Sequence, residues 1–117
     1  MQQDDDTIQW TVLVRSTPGS EGTPVLHALR TAIAALADDI KVNVFFLEEA
    51  VAVLREEART VHPAHCDLLE EIKELGGQLH AVTLPEDSAS PFLPGVKIGN
   101  MATLVRNMKA SDQVISF

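Results

Sequence analysis

The sequence predicts an α/β domain of three layers, in which helices lie on both faces of a small, mainly parallel sheet of four to five strands. Short β-rich runs alternate with stretches whose apolar residues recur at helical spacing, in the order β-α-β-α-α-β-loop-α-β. Glycine, proline and small polar residues fall between them, and the long connections are the kind a parallel sheet requires. At 117 residues the chain has the length of one domain. Residues 1–7 read as a disordered acidic tail and 8–117 as the single folded unit.

The tail, Met1-Gln2-Gln3-Asp4-Asp5-Asp6, offers nothing to bury. A first strand follows at Ile8 to Arg15, and its centre, Trp10 to Val14, is almost continuously apolar or β-branched, as a strand covered on both faces would be. Ser16 to Thr23 forms a loop. Thr23 then stands as cap and Pro24 as first residue of a helix, because proline lacks only an N–H that the first turn leaves unbonded anyway. Leu26, Leu29, Ile33 and Leu36, widened by Val25, Ala32 and Ala37, give the helix one apolar stripe, with Arg30 and Thr31 outside it. Asp38-Asp39 ends it, and Val42 to Leu47 is a second strand.

Glu48-Glu49 suit the positive end of a second helix, whose stripe Ala50, Val51, Leu54, Ala58 and Val61 runs to Pro63. His62-Pro63-Ala64-His65-Cys66 reads as a connector, after which Asp67 and Glu70 cap a third helix striped by Leu68, Leu69, Ile72 and Leu75. Gly76-Gly77 closes that helix, and Gln78 to Leu84 is the third strand. Pro85 to Gly95 is a loop of about ten residues, a length that in compact domains often carries function. The last helix begins at Gly99 or Asn100, with Met101, Leu104, Val105 and Met108 inward, and Gln113 to Phe117 ends the chain as a strand.

Composition excludes several functions. A formal net charge of −8 and the lack of a Lys/Arg cluster argue against nucleic acid as a partner. Trp10, Phe45, Phe46, Phe92 and Phe117 are too scattered to form a base-stacking platform. Hydrophobic residues are 45% of the chain, yet no run approaches the ~20 residues of a membrane helix, so no membrane partner is expected. The amino-terminal residues lack the basic and apolar segments of a secretory signal, and the single cysteine, Cys66, cannot form an internal disulfide; both favour the cytoplasm.

Few residues could carry chemistry. The small residues of the first loop, among them Ser16, Thr17 and Ser20, precede a helix amino terminus and could cradle an anion through backbone N–H groups. That loop has no Gly-Lys-Ser/Thr ending and no Gly-x-Gly-x-x-Gly, and Glu21 sits inside it, so a plain connection is the competing reading. His62-x-x-His65-Cys66 holds three soft ligands but not a zinc spacing, and no second Cys/His pair completes a tetrahedron; no metal and no cofactor are expected. Cys66 alone is either a buried structural thiol or a reactive one near a helix amino end, where Asp67 adds opposing negative charge. His27 and His80 lack catalytic neighbours in sequence. Ser88 and Ser90 would need a base folded against them, and Glu86-Asp87 read as solvated charge.

The strand and loop Thr11-Val12-Leu13-Val14-Arg15-Ser16-Thr17-Pro18, the strand Val42 to Leu47, the segment Leu68 to Gly77 and the ending Ala110 to Phe117 resemble the DsrE/DsrF/TusD-like group of small sulfur-relay proteins. The resemblance implies a three-layer DsrE-like domain, a homo-oligomer or mixed complex, and a partner protein in sulfur relay. In sulfur-handling members a cysteine just after the strand that follows the Gly-capped helix carries a persulfide. The matching segment here, Gln78 to Pro85, has no cysteine. Two functions are therefore expected as alternatives: a sulfur carrier or sulfurtransferase-like relay component using Cys66, and a non-catalytic oligomeric relative binding a small ligand or partner protein. Ser16, Thr17, Ser20 and Thr83 are the ligand-binding candidates at the strand ends.

Overall fold

The computed structural model describes residues 7–18, 24–83 and 91–117. They form one parallel sheet in the order β4-β3-β2-β1-β5, with β1 at Gln9–Val14, β2 at Lys41–Phe46, β3 at Gln78–Val82, β4 at Lys97–Gly99 and β5 at Gln113–Ser116. The acidic tail, the Thr23 cap, Ser20 and Glu86-Asp87 lie outside the described residues. β4, the fifth strand, was the one not placed in the sequence; its three residues pair through Ala81↔Ile98.

Side chains alternate across the sheet. Val12, Val14, Val42, Val44, Phe46, Leu79 and Ala81 share one face and pack against α1 (Pro24–Ala37) and α3 (Pro63–Glu74), through Val25, Leu29, Leu69 and Ile72. Each fully buried Leu, Ile or Phe there contributes about 1.5–3 kcal/mol. The other face carries Leu13, Phe45 and Val82 beneath Leu104 and Met108 of α4 (Met101–Ala110). The arrangement follows from connectivity: β1, β2, β3 and β4 step one way across the sheet, and the chain then returns past β1 to β5. Right-handed crossovers put the helix of the return on the opposite face. The result is three layers of α/β/α. Among the described residues, no helix is long and apolar enough to cross a membrane.

Several boundaries differ from those expected. The single helix expected between Glu48 and Val61 is a 3-10 helix at Glu48–Leu54 and a separate turn, α2, at Ala58–Val61. Its apolar residues explain the change. Ala50 with Val53 and Val51 with Leu54 are spaced by three, the 3-10 period, and all four are buried. Arg55 then turns extended and pairs with Phe92, and Val61 is exposed instead of continuing the stripe.

The connector expected at His62 to Cys66 is also helix. Pro63 keeps His62 non-helical (φ −132°, ψ 61°) but is itself the first helical residue, so α3 starts four residues before Asp67. Asp67 therefore lies inside α3 and caps nothing. The buried stripe is His65, Leu69 and Ile72, while Leu75 is exposed. In α1 the deepest residues are Val25, Ala28, Leu29, Ala32 and Ala35, with Ala37 exposed. In α4 only Leu104 is buried; Met101 and Val105 are exposed because one helix cannot cover the sheet and the short β4 edge together.

Candidate functional site

The helical start at Pro63 puts Cys66 in the first turn of α3, and the topology says where that turn lies. The far end of α3, Leu75 and Gly76, borders a hollow of about 450 Å³ with Gln9 and Lys41, at the amino ends of β1 and β2. The amino end of α3 is thus at the carboxyl end of the sheet, where open α/β sheets bind ligands. The lining of this larger hollow holds no thiol or histidine among the described residues, whereas Cys66 lies at the other edge.

There Cys66 is half-buried beside a cleft of about 220 Å³ lined by Arg59, Pro63, Asp67, Glu70 and Leu93. Leu93 belongs to the segment that returns from the end of β3. It is held in place by its N–H, which donates to Leu54 O at 2.7 Å, and by the Glu56 N–H, which donates to Pro91 O at 2.9 Å. The Arg55 guanidinium covers the neighbouring Phe92 ring at 4.3 Å, a cation–π contact. Although Cys66 precedes β3 in sequence, the fold brings it to the chain that follows β3.

The electrostatics of the thiol are mixed. Burial pushes its pKa above the ordinary cysteine value, Arg59 pulls it down, and Asp67, Glu70 and Glu56 push it up again. Arg59 is in turn held by Glu56, with Nε to Oε1 at 2.9 Å, so much of its charge is already answered. Cys66 is a thiol that ionises reluctantly.

His65 points elsewhere. It lies on the buried stripe, 4% exposed, and its Nε2 has no hydrogen-bond partner. Its ring meets that of His62 edge to face at 5.3 Å. Burial first, and then the charge of His62, lower its pKa, so it sits neutral. On a helix His65 and Cys66 point about 100° apart, and among the described residues no three His, Cys, Asp or Glu gather as a metal set.

The strand-end residues are partly assembled. Thr17 Oγ1 donates to Glu49 Oε1 at 2.6 Å, tying the loop after β1 to the segment after β2. Glu48 beside it takes a left-handed backbone, φ 54°. Ser16 and Thr83 are half-buried, and neither they nor Thr17 line the Cys66 cleft.

Sequence reading missed Arg59, which lines the Cys66 cleft from α2, between the non-helical residues Arg55 and His62. It also missed a buried polar group under α4. The His80 ring stacks on Phe45 at 4.2 Å between centroids, and with Asn43 Oδ1 as acceptor its Nε2 donates across 2.9 Å. Burial first, then Lys97, lower the His80 pKa. A histidine and an asparagine in alternating β runs were the available signal, but register between β2 and β3 was needed to pair them.

Comparison with known proteins bears on the fold and the family. The family model described as the DsrE/DsrF-like family matches residues 10–117. The uncharacterized protein MJ0989 of Methanocaldococcus jannaschii is 32% identical over 119 residues, covering 94% of this chain and 100% of that protein. The uncharacterized protein MK0008 of Methanopyrus kandleri is 32% identical over 95 residues, covering 77% of this chain and 78% of its own. Among solved structures, the ychN protein from E. coli superposes with a TM-score of 0.80 at 23% identity, over 95% of this chain and all of that one. The protein of unknown function MTH1491 from Methanobacterium thermoautotrophicum superposes at 0.72 and 16% identity, over 94% and 99%. At such identities these two structures speak for the fold alone. The chain belongs to the DsrE/DsrF-like family.

Proposed function

We propose that this protein handles sulfur as a homo-oligomeric DsrE-like carrier, with Cys66 as the group that accepts a sulfane sulfur from a partner protein. The observation that carries the reading is the position of Cys66: the chain's one thiol stands at the carboxyl end of the sheet, half-buried beside a cleft that includes Leu93. In the step, the Cys66 thiolate attacks the outer sulfur of a donor persulfide. The bond between the two donor sulfurs breaks, the outer sulfur becomes a persulfide on Cys66, and the donor leaves as its thiolate. Arg59 stands where it can steady the anionic thiol or persulfide, and Thr17 and Thr83 are the polar groups on the same edge of the sheet.

A second reading has an observation of its own. Burial and the three carboxylates keep Cys66 protonated, which suits a structural thiol in a non-catalytic relative whose strand-end loops bind a small ligand or a partner protein.

Intact-mass measurement after exposure to a persulfide donor separates the two. The carrier reading expects a gain of about 32 Da, one sulfur, that a reductant removes and that Cys66→Ser abolishes. An unmodified protein, under conditions that load a control carrier, leaves the second reading standing.

A further inference from the structure

Charge on this molecule is divided between its two helical faces. The segment 91–117 carries Lys97, Arg106 and Lys109 against a single acid, Asp112, whereas 56–74 carries six acids against Arg59 and Lys73. Those two cations are spent at home, Arg59 on Glu56 at 2.9 Å and Lys73 on Glu70 at 3.0 Å. Asp67, Glu71 and Glu74 remain exposed along the outer side of α3. Among the described residues, neither Arg106 nor Lys109 pairs with a carboxylate.

The basic face is also apolar. Met101, Val105 and Lys109 follow one another at spacings of four down a single exposed ridge of α4, with Arg106 beside them. Met101 is 58% exposed, Val105 52%, and Ile98 on the adjoining edge strand 67%. A run of apolar side chains at this density, rimmed by charge, marks a contact surface. Pairing α4 with α4 of another copy would set Arg106 and Lys109 against cations. The acidic face of α3, flanked by the exposed Val61 of α2, offers the opposite charge and an apolar neighbour.

We infer that the α4 ridge of one copy docks on the acidic outer face of α3 in the next. This rests on the self-association proposed above and names its surface. The two faces lie on opposite sides of the sheet, so the contact is heterologous: each copy offers one surface and uses the other, and the assembly closes as a ring or grows. Apolar side chains of the ridge supply the burial, and the flanking charges select the partner face, since like charges brought together there are penalised.

The test is a charge exchange at exposed positions, read by light scattering or sedimentation, with circular dichroism to confirm folding. The wild type is expected at a multiple of 12.7 kDa. Arg106→Glu with Lys109→Glu is expected to fall to the single-chain mass, and so is Glu71→Lys with Glu74→Lys. One chain bearing all four changes is expected to assemble again. If the wild type itself runs at the single-chain mass, self-association and this surface are both overturned. If the wild type is a multimer and either pair of changes leaves it so, or the four-fold variant stays a single chain, this surface is overturned while self-association stands.

Discussion

Cys66 ionises reluctantly because burial and nearby carboxylates outweigh a guanidinium that is itself engaged. Its alkylation by iodoacetamide is expected to be slow at neutral pH and to keep rising with pH beyond the range of an ordinary cysteine. Asp67→Asn removes one carboxylate and is expected to speed the neutral-pH reaction several-fold, whereas Arg59→Met slows it. A rate unchanged in both variants would contradict the assigned electrostatics. His65 and His80 set a second pH dependence. Both have pKa values lowered in the folded protein, so the unfolded chain binds the extra protons. Their contribution to stability is complete above the unfolded histidine value of about 6.5 and is lost as pH falls below it. Replacing His65 with Leu removes a buried nitrogen that has no partner, a group that costs about 1–3 kcal/mol. Melting temperature is therefore expected to hold or rise in His65→Leu, and to drop less than wild type on going from neutral to mildly acidic pH. Of this, the opposing charge of Asp67 was legible in the sequence; the burial of His65 and the approach of Arg59 were not, because His65 and Cys66 fell in an expected connector and no spacing tells which of two adjacent residues is buried.

Elements were read well where periodicity and capping agreed. Asn100 was one of two expected starts for the last helix, and its Oδ1 accepts the Thr103 N–H at 3.0 Å. Asn100→Ala is expected to cost about 1 kcal/mol in chemical denaturation, the usual worth of such a cap. Gly76 and Gly77 together end α3, and they do different work. Gly76 takes the left-handed turn, φ 94°, while Gly77 makes room: a Cβ there would lie 2.6 Å from Ile72 Cγ2 and 2.9 Å from Leu36 Cδ1. Gly77→Ala is expected to cost about 1–3 kcal/mol by forcing α1 and α3 apart, and an unchanged denaturation midpoint would refute that packing. The misread stretch, Glu48 to Val61, fails for a physical reason. Its apolar residues satisfy a period near 3.6 only if Val53 is ignored, and the extended pairing of Arg55 with Phe92 comes from a segment more than thirty residues away.

At the scale of the molecule, the parallel α/β plan, the helix order and the final strand were legible because crossover connections leave a strong pattern. Strand order, the short β4 and the half-covered face under α4 were not, since each depends on which strands meet. The same long-range placement decides the function proposed for Cys66: the fold moves a thiol that precedes β3 in sequence to the end of the sheet where β3 finishes. Labelled sulfur tests that claim most directly. With a donor persulfide whose outer sulfur is labelled, the account predicts one label retained per chain on Cys66 and released when a small acceptor thiol is added. A protein that takes up no label from a donor able to load a control carrier, or a Cys66→Ser variant that takes up as much as the wild type, would contradict it.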